Sequence, residues 1–108
     1  MHEFSLITFD RFHQRFLGLM GRRDVPATQV FHFIPCQGIH TCAMRFAVSV
    51  LFLDRQRRLL RFIDRLAPYR MVWYPRAHSA LELRAGVIHS DAQARRLITL
   101  LLPDDYSQ

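Results

Sequence analysis

Between Gln29 and Arg84 the chain alternates short apolar runs with turn residues: QVFHFI (29–34), IHTCAMR (39–45), AVSVLFL (47–53), RLLRFID (58–64), RMVWY (70–74) and SALELR (79–84). Short strands at such regular spacing predict a β-sandwich or barrel. AVSVLFL is apolar at nearly every position, so both its faces should be covered and it belongs inside a sheet. In RLLRFID, Leu60 and Phe62 point one way and Arg61 the other, which predicts a half-exposed strand. EFSLITF (3–9), rich in β-branched and aromatic residues, predicts one more strand at the N-terminal end.

Two stretches follow the helical period instead. Asp10 has the chemistry of an N-cap, Phe12, Phe16, Leu19 and Met20 fall on one face behind it, and Gly21 with Arg22 and Arg23 supplies a stop. Near the other end, Ser90 and Gln93 form a capping pair ahead of Ala94, Leu97, Ile98 and Leu101, and Pro103 ends the run. The expected fold is therefore mainly β, a sandwich or jelly roll of about six to seven strands with a short N-terminal-region helix and a C-terminal helix.

Composition narrows the class. The 108 residues, half of them hydrophobic, suit a single domain over residues 1–108 that buries a core without help from disulfides. Two cysteines exclude a disulfide scaffold, although one Cys36–Cys42 bridge stays open in an oxidising compartment. The opening MHEFSLITFDRFHQRF meets charged residues at once and lacks the apolar core of a signal peptide, and no run reaches membrane-spanning length. A cytoplasmic protein with reduced thiols and no membrane insertion is the expectation, as a monomer or weak dimer. The net charge of +6 rests on 15 arginines and no lysine. Guanidinium groups suit phosphate and carboxylate partners, but net charge alone identifies none.

The segments GLMGRR, PC...IHTCAMRF, VLFLD and ALELRAG, in this order, resemble the bacterial and archaeal domain-of-unknown-function family 192. The resemblance runs from about Phe9 to Gly86 and centres on HTCAMRFAVSVLFLD. It implies a small β-rich domain of jelly-roll or sandwich type with a short helix near the N-terminus, and it implies no activity. This chain departs from the family pattern at three places. Ala47 and Ser49 stand where a proline and an acidic residue are usual. Arg57 stands where a glycine is usual, so a positive φ there is harder to adopt. After Gly86, ARRLITLLL replaces a glycine-rich turn and a last short strand.

The candidate chemistry centres on PCQGIHTC (35–42). Cys36, His40 and Cys42 give C-x3-H-x-C, one ligand short of a closed zinc site; His32, His78 or His89 would complete it only through the fold. The spacing is not C-x-x-C, so redox chemistry is unsupported. The simpler reading makes Cys42 a small buried hydrophobe and Pro35–Gly38 a connection, with no metal and no cofactor. Cys36, His40, Thr41, Arg45 and Glu82 form the candidate pocket rim. Acid–base work by His40 would need a carboxylate such as Asp54 or Glu82 in reach, and Ser49 lacks a nucleophile elbow.

Arg55, Arg57, Arg58 and Arg61, with Arg65 beyond them, cluster on one hairpin as a candidate polyanion contact, and Arg95 with Arg96 adds a second spot. No RNA-recognition signature or glycine-rich phosphate loop accompanies them, so a solvated basic face outweighs nucleic acid as a reading. Tyr69, Met71 and Trp73 share one side of YRMVWYP (69–75) and read as sandwich core; an exposed Trp73 near His40 would instead favour a planar or carbohydrate ligand. His32 reads as a core-edge residue with a backbone partner. Three functions follow. The first is a non-enzymatic small-ligand-binding or accessory module bounded by the IHTCAMR and SALELR strands. The second is a small hydrolase or metal-assisted enzyme using His40 with Cys36 or Glu82. The third is nonspecific polyanion binding through the arginine hairpin.

Overall fold

The computed structural model describes residues 3–9, 25–41 and 44–103. They form strands β1 (Ser5–Phe9), β2 (Gln29–Phe33), β3 (Gly38–His40), β4 (Val48–Leu53), β5 (Leu59–Leu66), β6 (Met71–Trp73) and β7 (Ser79–Arg84), followed by helix α1 (Asp91–Leu101). The chain is mostly β, as the spacing of apolar runs predicts. The helix expected behind Asp10 lies outside the described residues.

Five strands make one mixed sheet in the order β1-β2-β7-β4-β5. β1 runs parallel to β2, and the remaining pairs are antiparallel. β4 lies between β7 and β5, and all six of its residues are buried, in keeping with its unbroken apolar sequence. β3 and β6 form a separate two-stranded antiparallel ribbon.

The alternation of side chains divides the core between the two faces of the large sheet. On one face Phe31, Phe33, Val48, Val50, Phe52 and Ala80 cluster with Ile39 of the ribbon, and Val72 packs against them. Phe9 stacks on this side at 5.9 Å from Phe31 and 5.3 Å from Phe33. On the other face Val30, Leu51, Leu53, Leu81 and Leu83 meet Ala94, Leu97 and Ile98 of α1. The layers are thus ribbon, sheet and helix.

Local chemistry sets the ends of these elements. Ser90 caps α1 by accepting from Gln93 N at 3.1 Å, and Gln93 Oε1 accepts from His89 N at 2.7 Å. The β4–β5 hairpin turns through Asp54–Arg58. There Asp54 Oδ1 accepts from Gln56 N and Arg58 N, and Arg57 adopts φ 65°. This is a three-residue loop whose left-handed position normally belongs to glycine. The strand expected over Ile39–Arg45 stops at His40. Thr41 ends it: its Oγ1 donates to Ala67 O at 2.6 Å and accepts from Arg70 N at 2.8 Å, and its carbonyl accepts from Tyr69 N and Met44 N.

Candidate functional site

The two-residue period decides which side chains the ribbon presents outward. Gly38 pairs with Trp73, Ile39 with Val72 and His40 with Met71, and paired residues share a face. Ile39 and Val72 turn into the core, so Trp73, Met71 and His40 turn out. Trp73 is 62% exposed, and Met71 and Tyr69 are each 72% exposed. This corrects the expectation that Tyr69, Met71 and Trp73 are core. The alternation holds within β6, but the ribbon buries its other side, with Tyr74 stacked on Phe52 at 5.6 Å, while Tyr69 lies in the turn before the strand at φ 62°.

Trp73 lies against Gly38: a Cβ built on Gly38 would stand 2.5 Å from its Cε3 and 2.8 Å from its Cζ3. The indole therefore rests in a seat that only glycine leaves open. It forms one wall of an open groove of about 790 Å³, whose other lining includes Cys36, Arg55, Arg76 and His78. Gln37 O accepts from Tyr74 N at 2.7 Å, Gln37 Nε2 donates to Pro75 O at 2.7 Å, and His78 O accepts from Cys36 N at 2.8 Å. These bonds tie the Pro35–Gly38 turn to the Tyr74–His78 loop and fix the groove's floor. Arg55 arrives from the β4–β5 hairpin. Among the described residues, none of the groove's lining is acidic.

Of the five rim candidates, the groove takes one. Cys36 is buried beneath it, its Sγ donating to Gly38 O at 3.2 Å. His40 is on the ribbon's outer face, Arg45 is exposed in the bend after Met44, and Thr41 is fully buried as the latch described above. Glu82 is buried on β7 between Phe31 and Val50, on the sheet face beneath the ribbon, and its Oε1 has no hydrogen-bond partner. Burial pushes its carboxyl up to about 8, so it is a neutral acid at pH 7. The ribbon's inner layer therefore separates His40 from Glu82, and the two do not form an acid–base pair. Cys42 lies outside the described residues. Among those described, no three His, Cys, Asp or Glu side chains are grouped so as to hold a metal ion.

His32 is buried, yet its Nε2 lacks the hydrogen-bond partner expected for it. Burial first, then the charges of Arg57 and His78, hold its pKa down to about 4. The arginine hairpin divides. Arg55 enters the groove, Arg58 pairs with Asp54 at 2.9 Å, Arg57 Nη1 reaches Pro103 O at 3.4 Å, and Arg61 is exposed on β5. Arg57 and Arg58 also line a hollow of about 410 Å³ with Arg95 of α1.

Sequence reasoning did not single out Arg76, nor His78 except as a spare metal ligand. Their only local signal is the turn YPRAH following an aromatic strand. What brings them to Trp73 is the closure of the ribbon against the start of β7.

The family model matches residues 1–93. The chain belongs to DUF192, described as Uncharacterized ACR. No curated protein matches it. A protein of unknown function from Novosphingobium aromaticivorans superposes on this DUF192 chain with TM-score 0.70 and 17% identity over 80% of this chain, which spans 66% of that protein's length. A candidate transcription regulator from Sinorhizobium meliloti gives TM-score 0.70 and 18% identity, covering 94% of this chain and 78% of that one. At such identities the likeness establishes the fold alone. No helix among the described residues is long and apolar enough to cross a membrane.

Proposed function

We propose that this DUF192 protein is a non-enzymatic binding domain whose site is the groove between the Pro35–Gly38 turn and the Tyr74–His78 loop, and that its ligand is a planar anion. One observation carries the reading: an exposed indole seated on Gly38 shares a groove with Arg55 and Arg76, with no acid among its described lining residues. An indole with one face open is a stacking surface for a flat ring. Two guanidinium forks beside it suit a carboxylate or phosphate on that ring. A tied groove of this size is already shaped for a small ligand, which limits the ordering cost of binding. The groove lies ahead of the strands IHTCAMR and SALELR rather than between them: its lining comes from the residues just before each, Pro35–Gly38 and Pro75–His78, with Arg55 and Trp73.

Trp73 is the chain's single tryptophan, so intrinsic fluorescence reports on this groove alone. Titration with aromatic carboxylates and nucleoside monophosphates should quench and shift the emission with Kd values of roughly 10 µM to 1 mM. Arg55→Gln and Arg76→Gln should each weaken binding by about tenfold, the usual scale for one charge-assisted contact. An emission that no planar anion changes would end the reading.

A further inference from the structure

We infer that the groove is one end of a track for single-stranded nucleic acid, which continues over the outer face of the β3–β6 ribbon; this rests on the planar-anion reading above and narrows its ligand. Beyond the groove large exposed side chains continue, at Met71 and Tyr69. Met71 follows Trp73 on the same face at about 7 Å along the strand, with His40 across from it and exposed Tyr69 two positions further on. Large exposed side chains gathered in this way on a small domain mark a contact surface.

Charge selects the partner. Arg55 and Arg76 stand at one end of the row and exposed Arg70 lies between Tyr69 and Met71. Of the acids in β4 through β7, Asp54 is paired with Arg58, Glu82 is buried, and Asp64 faces His89 at 3.4 Å. The row is therefore basic and aromatic together, the combination by which single strands are held through base stacking and backbone phosphates without a sequence motif. Duplex DNA offers no unstacked base to Trp73 or Tyr69, and a peptide of acidic residues alone offers no flat ring to either.

The test compares a nucleoside monophosphate with an oligothymidylate of about six nucleotides, near the lower range of known single-strand site sizes, by Trp73 fluorescence at physiological salt. The oligonucleotide should bind at least about tenfold more tightly, with a log–log salt slope of about −1.4 to −2 for two to three phosphate contacts. Tyr69 adopts φ 62°, so Tyr69→Asn is the variant of choice, because asparagine tolerates that backbone. Tyr69→Asn and Met71→Gln should each weaken the oligonucleotide several-fold and leave the monophosphate unchanged. An oligonucleotide no tighter than the monophosphate, or indifferent to both variants, overturns the track while the groove reading stands. Equal affinity for polyglutamate or for duplex DNA overturns it too. Binding of neither nucleotide nor any other planar anion removes both readings together.

Discussion

Arg57 occupies the left-handed region at φ 65° in the β4–β5 hairpin, where a side chain costs on the order of 1 kcal/mol or more relative to glycine. Its compensation is slight, a single exposed contact from Nη1 to Pro103 O at 3.4 Å. Arg57→Gly should therefore raise stability by about 0.5–1 kcal/mol after the added unfolded-chain entropy of glycine, which is a few degrees in Tm for a domain of this size. Thermal unfolding of the two proteins decides it, and a lower Tm in the variant would mean that the Pro103 contact outweighs the backbone strain. The family resemblance marked this position, where Arg57 stands for the usual glycine, but the change of turn it suggested did not follow: Arg57 itself takes the left-handed conformation. The burial of Glu82 was not legible in the sequence. In SALELR, Ala80, Glu82 and Arg84 alternate with Ser79, Leu81 and Leu83, and a strand's own sequence does not say that it will be the middle one of five, covered on both sides.

At the scale of elements, the ribbon holds the candidate site, and its order depends on the smallest residue in it. A methyl at Gly38 collides with the Trp73 ring, and the ring, being exposed, is the part free to swing away. Gly38→Ala should thus change stability by about 1 kcal/mol or less while moving Trp73 emission to longer wavelength and weakening planar-anion binding about tenfold through lost preorganisation. Unaltered emission and affinity would show that the indole does not need its seat. The elements themselves were largely legible: β7 spans its expected residues, α1 begins at its expected cap, and β4 is buried throughout. The ribbon's facing was not. Tyr69, Met71 and Trp73 are together more apolar than Arg70, Val72 and Tyr74, yet it is Val72 and Tyr74 that face the sheet. Arg70 lies just before the strand and stays exposed, which leaves Val72 and Tyr74 to fill the core.

For the whole molecule, the two buried ionisable groups on opposite faces of the sheet should shape stability against pH in opposite senses. Glu82 prefers its proton in the folded chain, at about 8 against 4.5 unfolded, and His32 prefers to lack one, at about 4 against 6.5. Between pH 4.5 and 6.5 the unfolded chain carries the proton on His32 and the folded chain carries it on Glu82, so the counts match and this pair contributes no slope. From 6.5 to 8 only the folded chain still holds the Glu82 proton. Stability then falls by about 1.4 kcal/mol per pH unit, roughly 2 kcal/mol across that window. Between 4.5 and 4 the unfolded chain holds both protons and the folded chain one, so acidification also destabilises. Urea midpoints at pH 5.5, 6.5 and 8 test the scheme directly. Glu82→Gln should abolish the alkaline decline and expose a rise from pH 4 to 6.5 that belongs to His32 alone. His32→Leu should do the reverse, leaving a continuous fall from pH 4.5 to 8. If Glu82→Gln lost as much stability between 6.5 and 8 as the parent, the decline would come from another group and the neutral buried acid would be refuted.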